Sequence, residues 1–182
     1  MEMKHVYLMR HCQTKGQDAS CRLTEKGSAQ AIELAHFFKG IRIERIISSP
    51  YQRALESCRP IAQDKQMIVE EDIRLAERVL SNVDLPNWQQ LLEESFQDLE
   101  KKLEGGESGA EAAARGLEVL EEAISGPCDH IAIMTHGNLL TLMLQQLNPT
   151  YGFLEWKRMT NPDVFHLMID NGQCQIERIW DK

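Results

Sequence analysis

Short apolar runs alternating with helix-length segments leave this chain few ways to fold. Val6–Met9, Ile43–Ile47 and His130–Met134 read as buried strands, and Met67–Leu75 as a strand or extended segment. Between them lie helical patterns. Thr24 caps a helix whose apolar positions are Ala31, Ile32, Leu34, Ala35 and Phe38, closed by Gly40. Ser48-Ser49-Pro50 turns into a second helix carrying Arg53, Ala54, Ser57, Cys58, Ile61 and Ala62. A polar helical stretch runs from Asp84-Leu85-Pro86 to about Glu104, then come a glycine-rich turn, a helix over Ala110–Ile124 and another over Asn138–Leu147. Val164–Ile169 and Gln173–Ile179 flank Asp170-Asn171-Gly172, a strong hairpin signal. Strands that alternate with helices give the α/β class with a mainly parallel sheet. With no repeat, linker or low-complexity segment, residues 1–182 read as one domain.

Composition removes several function classes. The net charge of −8 disfavours nucleic acid and anionic membranes as partners. No apolar run approaches the roughly 20 residues that span a bilayer. Only a few mostly apolar residues precede Arg10, so no secretory leader is read and a cytoplasmic location is expected. Five scattered cysteines (Cys12, Cys21, Cys58, Cys128, Cys174), with no CxxC pair, speak against a disulfide framework and a structural zinc site. No metal-ligand spacing is present, and the sequence sets no oligomeric state.

Against this acidic background the position of each arginine is informative. The first strand stops at Arg10-His11, the second at Ser48-Ser49-Pro50 with Arg53 just beyond, and His130–Met134 runs into Thr135-His136-Gly137 at a helix start. A charged pair ending a strand either meets solvent or is delivered to a pocket. Parallel sheets bind ligands outside the carboxyl ends of their strands. Two arginines, two histidines and two helix N-termini on one rim make an anion site, because helix N-termini present free N–H groups and arginine gives planar paired donors.

Arg10-His11-Cys12-Gln13-Thr14, Leu23-Thr24-Glu25-Lys26-Gly27, Ser48-Ser49-Pro50-Tyr51-Gln52-Arg53-Ala54 and Thr135-His136-Gly137, in this order, resemble the histidine phosphatase superfamily, in particular its phosphoglycerate mutase-like branch. Gly106-Glu107-Ser108 with Glu111 and Arg115 fits the same pattern. The resemblance implies a three-layer sandwich, with helices on both faces of a mainly parallel central sheet, and a metal-independent phosphatase that needs no cofactor and acts on a small phosphorylated metabolite. It implies that His11 is the nucleophile that becomes a phosphohistidine, and that Arg10, Arg53 and His136 hold the phosphate oxygens. It places the proton donor at Glu77, although Glu70, Glu71 and Asp72 lie nearby in sequence. A carboxyl beside a bound phosphate is pushed toward its protonated form, which suits that role. Thr14, Gln17, Arg22 and Asn138 are secondary substrate-binding candidates; the family often has asparagine where Gln17 stands. His5, His36, His130 and His166 read as ordinary helix or strand residues.

The family motif is Arg-His-Gly, and Cys12 departs from it. Either a small thiol fits the pocket floor or His11 sits differently, and a thiol beside cations is open to a lowered pKa and oxidation. Two other readings stand beside the phosphatase. One is phosphoglycerate mutase-type phosphoryl transfer, for which the stretch between Leu75 and Gly106 is short. The other is a phosphate-ester binding module without turnover. Specificity is expected in Ser81–Glu104 and Gln13–Cys21, with Trp88 and Phe96 read as core.

Overall fold

Val6, Tyr7, Leu8 and Met9 are all buried, as are Ile131 to Thr135, because both strands are covered on both faces. The computed structural model describes residues 3–180. Met1 and Glu2, at the start of the segment read without a leader, and Asp181 and Lys182, at the end of the domain assigned to 1–182, lie outside the described residues. The strands are β1 (Lys4–Arg10), β2 (Arg45–Ser48), β3 (Glu70–Glu71), β4 (His130–Thr135), β5 (Asp163–Asp170) and β6 (Gln173–Arg178). The helices are α1 (Glu25–Phe38), α2 (Gln52–Lys65), α3 (Trp88–Gln97), α4 (Gly109–Ser125), α5 (Gly137–Leu147) and α6 (Phe153–Arg158). One sheet runs in the order β3-β2-β4-β1-β5-β6. β3, β2, β4 and β1 are parallel, and β5 returns antiparallel to β1 and pairs with β6. Asn171 and Gly172, both at positive φ, make the hairpin turn read from Asn-Gly.

Alternation along the strands builds the three layers. Val6, Leu8, Ile131 and Ile133 face Leu120 of α4 and Leu139 and Met143 of α5. Tyr7, Met9, Ala132 and Met134 face Leu34 and Phe38 of α1 and Ile61 of α2. The fold is therefore the α/β sandwich expected, mainly parallel with helices on both faces.

Three segments differ from the sequence reading. Met67–Leu75 supplies only the two-residue edge strand β3 and a 3-10 turn at Ile73–Leu75, because the Asp72 side chain accepts the Arg74 N–H at 2.9 Å and bends the chain. The helix expected from Asp84 to about Glu104 is confined to α3. Asp98 ends it with an extended backbone and an Asx turn that accepts the Glu100 N–H. α6, unread in the sequence, packs beside α3 and brings Trp156 opposite Trp88.

The segment following His11 is docked tightly onto the start of α1. The Gln13 carbonyl accepts the Thr24 N–H at 3.1 Å, and the Thr24 hydroxyl accepts the Gly27 N–H at 2.9 Å. A Cβ on Gly27 would fall 2.0 Å from the Gln13 carbonyl oxygen. Gly27→Ala is therefore expected to cost roughly 1–3 kcal/mol, lowering Tm by about 2–4 °C per kcal/mol for a chain of this size. Thermal unfolding of both proteins checks this; an unchanged Tm contradicts the close docking.

Candidate active site

The parallel ladder continues one residue beyond the strands. The His11 N–H donates to the Thr135 carbonyl at 3.1 Å and the Ser49 N–H to the Met134 carbonyl at 2.9 Å. His11, Ser49 and His136 thus stand side by side at the carboxyl ends of β1, β2 and β4. There α2 and α5 begin and their free N–H groups converge.

His11 is held on every side. Its Nδ1 donates to the Cys12 carbonyl at 2.7 Å, which leaves the lone pair on Nε2, 3.3 Å from Nε of Arg53. Asn161 donates its side-chain amide to the His11 carbonyl at 2.8 Å. Burial pulls the His11 pKa down to about 3, assisted by the charges of Arg53 and Arg10 and opposed by the Cys12 bond. His136 is buried, its Nε2 2.7 Å from the Ser49 hydroxyl, and burial followed by the His11 and arginine charges holds it well below the ordinary imidazole range. Both rings are therefore uncharged at neutral pH.

Arg53, buried in the first turn of α2, donates Nη1 to the carbonyls of Gln17 and Asp18, both at 2.9 Å, and lies over the Tyr51 ring. Arg10 is anchored by Nη1 on the Met159 carbonyl at 3.1 Å. A Cβ on Gly137 would come 2.9 Å from Arg10 Nε, so glycine after His136 makes room for the guanidinium. Glu77 caps α5: Oε1 accepts from the N–H groups of Arg78 and Leu139 at 2.8 and 2.9 Å, and Oε2 from Asn138 at 3.1 Å. Arg115 of α4 donates Nη1 to the carbonyls of Arg74 and Ala76 at 2.6 and 2.8 Å and pairs with Glu107 through two bonds of 2.9 Å. The Gly106-Glu107-Ser108 and Arg115 pattern thus clamps the segment that presents Glu77.

Among the described residues six buried side-chain polar atoms lack a hydrogen-bond partner. Four of them, Arg10 Nε, Arg78 Nη2, His136 Nδ1 and Asn138 Oδ1, belong to residues of this site. Buried polar groups are almost always paired, so this concentration singles out the rim as the candidate site. Above it opens a cavity of about 590 Å³ whose lining includes Arg10, Gln17, Tyr51, Arg53, Glu77 and Asn138.

The structure brings Arg10, His11, Arg53, Glu77, His136, Gln17 and Asn138 together, but not Thr14 and Arg22. Thr14 pairs with Leu23 across a reversed loop, and its hydroxyl donates to the Gly16 and Arg22 carbonyls at 3.1 and 3.2 Å. Arg22 forms an exposed ion pair with Glu56 at 2.6 Å and borders a separate cavity between α1 and α2. Trp88 is a cavity wall rather than core, whereas Phe96 is buried as expected. Sequence reading missed Tyr51, Arg78 and Trp156 as lining residues. Tyr51 and Arg78 adjoin motif residues, but nothing in the sequence points to Trp156. Cys12 faces the core with Ala54 and Cys58, a small thiol in a small space, and burial pushes its thiol up to about 12 rather than down. His5, His130 and His166 lie on strands, stacked in a row near the start of β1 and away from this rim. Among the described residues no group of three or more His, Cys, Asp or Glu is arranged to hold a metal ion, and no helix is long and apolar enough to cross a membrane.

The depressed His11 pKa ties stability to pH. An unfolded imidazole binds a proton near pH 6.5, the folded one only near pH 3, so stability is complete above 6.5 and falls as pH drops toward 3. In phosphate-free buffer, His11→Gln is expected to lose about 2 kcal/mol less than the parent between pH 7 and pH 5. Denaturant unfolding at both pH values measures this, and equal losses contradict the buried neutral imidazole.

Comparison with known proteins agrees with this geometry. A family profile for the histidine phosphatase superfamily (branch 1) matches residues 6–182. No curated protein sequence matches the chain. Among solved structures, one described as mycobacterial hydrolase 1 superposes with TM-score 0.81 at 20% identity, covering 100% of this chain and 99% of that one. A mycobacterial glucosyl-3-phosphoglycerate phosphatase gives 0.77 at 20% identity, covering 97% of each chain. A phosphoglycerate mutase from Bacillus anthracis gives 0.76 at 18% identity, covering 98% of this chain and 93% of that one. With the motif residues gathered on one rim and the profile spanning nearly its whole length, this chain belongs to the histidine phosphatase superfamily, with a phosphoglycerate mutase-like fold.

Proposed function

We propose that the protein is a metal-independent phosphatase that hydrolyses a small phosphorylated metabolite through a phosphohistidine on His11. The observation that carries this reading is the fixed, uncharged His11 ring, with its Nε2 lone pair beside Arg53. Nε2 attacks phosphorus as the bond to the alcohol oxygen breaks. Arg10, Arg53 and His136 hold the remaining oxygens and balance the charge that spreads over them. Glu77 gives a proton to the departing oxygen. Water then attacks phosphorus, the P–N bond breaks, Glu77 takes a proton from the water, and phosphate leaves. Gln17 and Asn138 line the substrate side. His11 and Arg53 are preset by backbone contacts, so little reorganisation is needed on binding. The solved structures that share the fold include both a phosphatase and a mutase.

Two observations favour turnover by hydrolysis over the other readings. The Cys12 side chain lies in the core beneath His11 rather than in the cavity, so it offers no obstruction to a phosphate. Beyond Arg10 and Arg53, Arg78 is the one further cation among the described residues of the cavity lining, and it is already engaged with Ser95 and Glu107. A mutase primed by a bisphosphate needs a stronger second anion site than this.

With p-nitrophenyl phosphate in EDTA, the parent is expected to turn over and His11→Ala to lose roughly 10³-fold or more. Glu77→Gln is expected to slow alkyl phosphates far more than p-nitrophenyl phosphate, since nitrophenolate leaves without a proton. Steady-state rates decide it: full activity in His11→Ala, or loss of parent activity on adding EDTA, contradicts the proposal.

A further inference from the structure

The phosphate end occupies only part of the cavity. Its volume of about 590 Å³ is that of a site for a drug-sized molecule rather than for a three-carbon phosphoester. Most of the remaining lining is apolar, with Leu80, Val83, Leu85, Trp88, Leu92 and Trp156 outnumbering the polar Arg78, Ser81 and Asp84. Val83 and Trp88 are each 44% exposed, so the cavity keeps large apolar surface in contact with water. Uncovered apolar surface of this kind, continuous with a polar site, is the mark of a ligand groove. Trp88 and Trp156 meet edge to face, with centroids 6.1 Å apart at 88°, and Trp156 is steadied by stacking on Phe153 at 5.5 Å. A perpendicular pair offers an incoming ring one aromatic face and one aromatic edge, the two geometries that aromatic rings prefer.

The charges outside the phosphate end are few. Arg78 donates Nη1 to the Ser95 hydroxyl at 2.8 Å and Nε to the Glu107 carbonyl at 3.2 Å. Its Nη2 is buried away from the cavity. Asp84 on the same lining opposes a second anion. A substrate with several carboxylates or phosphates finds no match here, and a small polyol would leave both tryptophans wet.

We infer that the outer half of the cavity is a ring-binding subsite. The alcohol that leaves phosphate carries a flat apolar or aromatic ring seated against Trp88 and Trp156. This rests on the phosphatase reading for the chemistry, but not for the binding.

The test separates the two. Wild-type protein is titrated by calorimetry with 3-phenylpropylphosphonate and with ethylphosphonate, which cannot be hydrolysed. Hydrolysis of 3-phenylpropyl phosphate is compared with that of ethyl phosphate, whose alcohols leave with nearly equal ease. The ring-bearing member of each pair is expected to be favoured roughly 10- to 100-fold in Kd and in kcat/KM. Trp88→Ala and Trp156→Leu are each expected to shrink that ratio about tenfold, with Trp88→Phe restoring most of it. A ratio near one in the parent, or a ratio that survives both substitutions, overturns the subsite, including the case where the tryptophans serve as a protein-contact patch. If the ring-bearing phosphonate binds through Trp88 but neither ester is hydrolysed, the phosphatase reading fails and the subsite stands. If both esters are hydrolysed equally well, the subsite fails and the phosphatase stands.

Discussion

The bond from His11 Nδ1 to the Cys12 carbonyl is 2.7 Å long and cannot reverse its polarity, since a carbonyl only accepts. It therefore fixes which ring nitrogen carries the proton and which carries the lone pair. Burial then removes the competing cationic form, because a charge in that place would be poorly solvated beside Arg10 and Arg53. In the proposed mechanism, a nucleophile built this way needs no base to activate it and no titration near neutrality. The arginines that disfavour a proton on His11 are the groups proposed to hold a phosphate against it. One electrostatic arrangement would account for both the state of the ring and the sign of the proposed ligand.

The rest of the molecule keeps that arrangement in register. Parallel pairing sets Arg10 opposite Thr135 and Ser48 beside Met134, so three strand ends finish level. The main chain of His11 and of Ser49 then completes the ladder rather than pointing into water. α2 and α5 start from that rim, which brings Arg53 and the N–H groups that bind Glu77 to the same few ångströms of chain. The Glu107–Arg115 pair reaches across from α4 to fasten the backbone on either side of Glu77. These contacts are costly to disturb because most are at least partly buried, and a buried group deprived of its partner loses more than the bond contributed.

What could be read from the sequence follows from what each signal encodes. Strand ends and helix starts are local, so Arg10, His11, Arg53 and His136 could be assigned to one rim before any coordinates. Glu77 rested on resemblance alone among neighbouring acids, and only the capping of α5 distinguishes it. Thr14 and Arg22 went astray because the loop between β1 and α1 doubles back, and spacing carries no information about that reversal. The sequence left open whether Cys12 fits beneath the site or displaces His11, and its side chain turns to the core because consecutive residues leaving a strand point to opposite sides. The helix from Asp84 was read too long because charge patterning resembles helix content, whereas a single Asp98 turn ends it. Trp156 needed tertiary knowledge: a six-residue helix with no buried residue gives no pattern to find.

The most direct measurement of the central claim is the chemical identity of the trapped intermediate. The enzyme would be quenched in alkali within the first turnover and the phosphorylated peptide mapped, with the two phosphohistidine isomers separated. The account predicts phosphate on His11 at Nε2 and on no other residue, since Nδ1 is occupied by the Cys12 carbonyl. Phosphate on Nδ1, phosphate on a different residue, or turnover with no phosphoenzyme would contradict it.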